Sequence, residues 1–198
     1  MTAPIEDAHA MTKTLKAYDE MAGKCRRLFA DKTSDYGTAW RILRPSSLTD
    51  QIFIKANRIR TLQETGEARV DEGIEPEFVG IVNYSLMAMI QCRMAAGEPL
   101  SLGFEAAMQH YDAVASEVRS LMIRKNHDYG EAWRDMRVSS LDDLILMKVL
   151  RVKQIEDNSG HTRVSEGVEA NYMDMANYAV FALILINESA QVQPDRLG

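Results

Sequence analysis

One stretch of this chain occurs twice, and no other feature constrains its fold so tightly. Lys32, Asp35, Tyr36, Gly37, Ala39, Trp40, Arg41, Arg44, Ser46, Ser47, Leu48 and Asp50 return 93 positions later as Lys125, Asp128, Tyr129, Gly130, Ala132, Trp133, Arg134, Arg137, Ser139, Ser140, Leu141 and Asp143. Extended through Arg58 and Arg151, 15 of 27 aligned positions are identical. The Tyr18-Asp19 and Tyr111-Asp112 pairs keep the same offset. After a one-residue insertion near Ser159 and Gly160, the match resumes at an offset of 94, with Val70, Glu72, Gly73, Glu75, Asn83 and Tyr84 answering Val164, Glu166, Gly167, Glu169, Asn177 and Tyr178. A unit of roughly 75 residues is therefore present twice.

The boundaries follow from the repeat. A leading segment covers 1–14, the first repeat 15–92, a linker 93–107, the second repeat 108–186 and a tail 187–198. Gly97, Pro99 and Gly103 give the linker its character. Each unit alone is too small to bury much core, so the two are expected to pack against each other about a pseudo-twofold axis.

Within a unit the apolar spacing predicts three helices, and no run alternates at period two for long enough to build a sheet. The first helix, about 14–31 and 105–125, ends towards an Asp-Tyr-Gly turn whose glycine supplies a backbone angle that other residues resist. The second starts at Ser47 and Ser140, each followed three positions on by Asp50 or Asp143, a capping-box spacing. The third, about 76–92 and 170–186, is apolar nearly all round, as a central buried helix is. The fold class expected is all-α: two tandem three-helix repeats in a pseudo-twofold bundle.

Composition narrows the function. With 23 Lys and Arg against 29 Asp and Glu, the net charge is −6, so no overall positive field holds nucleic acid nonspecifically and such a partner is not expected. Cys25 and Cys92 lack metal-ligand spacing and suggest neither zinc nor a disulfide framework. The N-terminus carries Glu6 and Asp7 without an apolar stretch, and no run is long enough to span a membrane, so a cytoplasmic setting is expected. Homodimerisation is left open.

Three sets of residues could carry chemistry. On a helical wheel Lys55 falls among Leu48, Ile52, Ile59 and Leu62, and Lys148 among Leu141, Ile145, Val152 and Ile155, with Arg58 and Arg151 at the flank. A lysine in an apolar stripe costs desolvation unless an anion meets it. Lys55 with Arg58 and Lys148 with Arg151 thus read either as anion clamps or as cations neutralised internally, by a carboxylate such as Asp35 or Asp128. The turn is the second set. Lys32 and Lys125 could meet phosphate, while Asp35, Tyr36, Asp128 and Tyr129 could contact a nucleoside; the alternative is that Asp caps and the aromatics pack. The third set is acidic. Glu72 with Glu75 and Glu166 with Glu169 share a helical face, where oxygen ligands suit magnesium, and Asp174 adds an acid that the first repeat replaces with Gly80. Histidines are not duplicated, and neither a nucleophile elbow nor a Walker loop occurs. No catalytic residue is assigned.

Together these motifs, Lys-x-x-Asp-Tyr-Gly-x-Ala-Trp, Arg-x-Ser-Ser-Leu-x-Asp-x-Ile-x-x-Lys-x-x-Arg, Glu-Gly-x-Glu and Asn-Tyr, resemble the bacterial and phage family called nucleotide modification associated domain 1. The resemblance spans both repeats and implies a role linked to nucleotide or modified-base metabolism, without established catalytic residues. A more distant likeness is to MazG-type all-α nucleoside triphosphate pyrophosphohydrolases, which implies magnesium held by helical acids. Its last acidic pair would correspond to Asp174 and Asn177, and to Gly80 and Asn83 in the first repeat, where the pattern is not kept. Two functions are therefore expected to compete: magnesium-dependent hydrolysis, with Glu166, Glu169 and Asp174 on the metal, and non-catalytic binding of a nucleotide or other phosphate-bearing small molecule. A purely structural helical protein is the third reading.

Overall fold

The computed structural model describes residues 3–66, 73–95, 97–161 and 167–192. Among these residues six α-helices follow one another: α1 (Ala3–Tyr36), α2 (Pro45–Thr65), α3 (Glu75–Arg93), α4 (Phe104–Tyr129), α5 (Val138–Asp157) and α6 (Val168–Val192). Among the described residues there is no strand, and the all-α expectation holds. Single 3₁₀ turns, Ala39–Ile42 and Ala132–Asp135, join the first helix of each copy to its second. The first and last helices run further than their periodicity predicts, since α1 starts at Ala3 and α6 continues to Val192. Among the described residues no helix is long and apolar enough to cross a membrane.

The termini of α1 and α4 behave as the turn motif predicts. Gly37 and Gly130 lie just past the helices at φ of 60°, and their amides return to the carbonyls of Thr33 and Asn126. A left-handed residue in this position closes the last turn, and glycine adopts it without steric cost. The starts of α2 and α5 correct the capping-box expectation. Both begin earlier, at Pro45 and Val138 after extended Arg44 and Arg137, and neither has a side-chain cap. Asp50 and Asp143 sit inside the helices and reach across instead, Asp50 to Lys153 at 2.5 Å and Asp143 to Arg60.

The long apolar helices α3 and α6 form the centre. Phe78, Ile81, Val82, Leu86, Met89 and Ile90 of α3, with Tyr172, Met175, Ala179, Val180, Leu183 and Ile184 of α6, are buried in one shared core. Helices α2 and α5 pack on these and on each other, while α1 and α4 also contact both central helices. An all-round apolar helix has no solvent face to keep, which is why these two occupy the middle.

The copies are related by reciprocal contacts. Tyr18 donates its hydroxyl to Asn177 Oδ1 at 2.8 Å, and Tyr111 does the same to Asn83 Oδ1 at 2.8 Å. The two asparagines donate in turn to the carbonyls of Val118 (3.2 Å) and Cys25 (3.1 Å). Arg26 grips Asp112 through two nitrogens, and Arg119 grips Asp19 likewise. In every one of these pairs the members sit at equivalent positions of the two repeats, as a pseudo-twofold arrangement requires.

Candidate functional site

In the first copy, α1, the 3₁₀ turn, α2 and α3 enclose a pocket of about 530 Å³. Leu28, Phe29, Trp40, Leu43, Tyr84 and Met87 make an apolar and aromatic wall, and Pro76 and Gly80 contribute from α3. Lys32, Lys55 and Glu77 bring charge to it. The volume lies within the usual range for small-molecule sites, as does the combination of apolar lining with few polar groups.

Helix geometry explains how Lys55 reaches the pocket. A Cβ placed on Gly80 would lie 2.5 Å from Lys55 Cε and 2.7 Å from its Cδ. The lysine stem thus lies directly on the α3 backbone, in room that only glycine leaves. Its ammonium is 3.0 Å from Glu77 Oε2 and 5.9 Å from the centre of the Tyr84 ring. Arg58 also engages Glu77. Glu77 is nearly buried, and two cations offset the desolvation of its carboxylate.

The second copy assembles a different cluster from the matching residues. Lys148 Nζ lies 2.7 Å from Asp174 Oδ2 and Lys125 Nζ 2.5 Å from Oδ1. Asp174 stands where the first copy has Gly80, and Asn171, which bonds back to the Gly167 carbonyl at 3.1 Å, stands where it has Glu77. The acid has moved one helical turn. Tyr178 lies in this cluster, its hydroxyl pushed up first by burial and then by Asp174, with Lys125 and Arg151 acting in the opposite sense. Arg151 is otherwise exposed. Phe181 replaces Met87 and stacks on Trp133, with ring centres 4.2 Å apart and planes 4° from parallel. In the first copy Trp40 instead lies tilted against Phe29, at 6.3 Å.

Of the internal partners anticipated for the stripe lysines, neither Asp35 nor Asp128 is used; both are exposed, and the carboxylates that serve are Glu77 and Asp174. Tyr36 and Tyr129 are 72% and 74% exposed, and Tyr36 lines the pocket of the first copy. Trp133 is buried in the core and Trp40 is half-buried against it.

The described members of the acidic set are each engaged by a basic side chain. Glu166 and Glu72 lie outside the described residues. Glu169 is held by Arg93 at 2.7 Å, Glu75 by Lys24, and Asp174 by its two lysines. Among the described residues no three His, Cys, Asp or Glu side chains converge as a metal site would need. What the sequence reading missed is Glu77, together with the role of Gly80. The signal was available in an alignment of the third helices, where Glu77 faces Asn171 and Gly80 faces Asp174.

Fold and pocket define a tandem helical protein in which one copy has a lysine-bearing pocket and the other pairs the two equivalent lysines with its own carboxylate. The chain belongs to the family nucleotide modification associated domain 1, whose profile matches it twice, at residues 32–92 and 125–186. Neither comparison with curated proteins nor comparison with solved structures gave a match.

Proposed function

We propose that the protein binds a nucleotide in the pocket of the first copy and acts in nucleotide or base modification without itself hydrolysing the nucleotide. The pocket carries this reading: Tyr36, Trp40 and Tyr84, side chains of the kind that stack on a base, line it together with Lys32 and Lys55, cations of the kind that meet a phosphate. The family's description agrees with a nucleotide ligand. Binding is favoured over magnesium-dependent hydrolysis because Glu169 and Asp174 are already engaged by arginine and lysine, on different partners. Magnesium then enters, if at all, with the nucleotide's phosphates.

Thermal unfolding and calorimetric titration with ribo- and deoxyribonucleoside mono-, di- and triphosphates, with and without magnesium, test this, together with chromatography of the products. At least one nucleotide is expected to raise Tm by several degrees, through the mass-action stabilisation of the folded state, and to be recovered intact. Lys32→Ala and Trp40→Ala should each weaken binding about tenfold or more, on the order of 1.4 kcal/mol. A triphosphate converted to monophosphate only with magnesium would establish the hydrolase instead, and a panel without any shift would remove the nucleotide reading.

A further inference from the structure

The two copies contain an internal comparison of one site in two states. In the second copy a single carboxylate, Asp174, receives both the Lys125 and the Lys148 ammonium groups. Their equivalents in the first copy, Lys32 and Lys55, both line the pocket, and the residue equivalent to Asp174 is Gly80, which has no side chain. Lys55 leans along Gly80 towards Glu77. Lys32 makes no ion pair with any described residue. The first copy therefore lacks the group that joins the two lysines in the second.

We infer that the pocket of the first copy seats the anionic group of its ligand against Lys32 and Lys55, and that Asp174 is the built-in occupant of the equivalent seat, so that each chain takes one ligand rather than two. This rests on the pocket being a ligand site. An anion is the chemistry favoured, because covering the exposed Lys32 ammonium with a neutral group would strip its water without supplying a partner. A phosphate oxygen supplies the same contact that Asp174 supplies, with further lone pairs to spare. Phe181 of the second copy, stacked on Trp133, stands at the position of Met87, which lines the pocket of the first copy.

Each copy carries its own fluorophore. Trp40 and Trp133 have buried indole N–H groups without an acceptor, so replacing either with phenylalanine forfeits no hydrogen bond. The Trp133→Phe chain then reports the first copy and the Trp40→Phe chain the second. Both are titrated with sodium pyrophosphate, dAMP and ATP. The Trp40 signal is expected to saturate at one equivalent, to need at least tenfold more probe in the Lys32→Gln chain, and to disappear when Glu77→Asn and Gly80→Asp are introduced together. The Trp133 signal is expected to stay flat until Asn171→Glu with Asp174→Gly gives the second copy the pattern of the first. Asp174→Ala is the smaller change with the same expectation, and far-ultraviolet circular dichroism establishes which variants are folded. A Trp133 response in the unaltered second copy would overturn the proposal, as would Trp133 silence in folded variants of both kinds. If pyrophosphate moves Trp40 and no nucleotide does, the anion seat stands and the nucleotide reading falls. If nucleotides move Trp40 equally well in the Lys32→Gln chain, the nucleotide reading stands and the anion seat falls. Silence from Trp40 with every probe would remove both.

Discussion

Asp142 is the residue least at ease in this structure. It is fully buried on α5, and neither of its carboxylate oxygens has a hydrogen-bond partner. Burial raises its pKa to about 7, with Arg60 acting against the shift and Asp143 with it. The sign is fixed by the raised value. Below about pH 4 the carboxyl is protonated in both folded and unfolded chains and carries no penalty; as pH rises towards 7 the unfolded chain ionises first, so stability falls, and above 7 the whole penalty is present. The equivalent residue in the first copy is Thr49, whose hydroxyl bonds the carbonyl four residues back as well as meeting Glu156 and Tyr172. Asp142→Thr can make the same backward bond. It should raise stability by about 2 kcal/mol at pH 8 and by much less at pH 4. Urea unfolding at both pH values checks this, and an equal gain at the two would contradict it.

At the scale of helices, the Tyr–Asn bonds are the polar joints of the bundle. Tyr111→Phe leaves Asn83 Oδ1 without its donor in a buried site, an expected loss of about 1–3 kcal/mol, and Tyr18→Phe should cost a similar amount at Asn177. Chemical denaturation of the two variants measures both. The exposed pairs Arg26–Asp112 and Arg119–Asp19 should matter less, about 1 kcal/mol or under each, because solvent screens them. Much at this scale was legible in the sequence. The repeat and the apolar periods gave six helices, and Gly37 and Gly130 marked two of their ends. The starts of α2 and α5 were not legible, because Ser47 and Asp50 have the spacing of a cap whether or not a helix begins there, and Arg60 and Lys153 claim the acids. The candidate site was half legible. Lys55 and Lys148 announced themselves as cations in apolar stripes, but their partners lie on a helix remote in sequence, and only the packing of α2 on α3 and α5 on α6 brings Glu77 and Asp174 to them.

For the whole molecule, the two copies are not separable bodies. The core runs through α3 and α6 without a break, and the polar joints cross from one copy to the other. Unfolding should therefore appear as a single calorimetric transition whose van't Hoff and calorimetric enthalpies agree; two resolved transitions would show that the copies melt alone. The reciprocity of those joints has a consequence for how a site can diversify. Two identical chains meeting through Tyr18 and Asn83-type bonds must carry every substitution twice, so an acid that stoppers one cavity stoppers its twin. Joined end to end in one polypeptide, the halves are released from that obligation: Gly80 and Asp174 can differ while the architecture that both depend on stays common property.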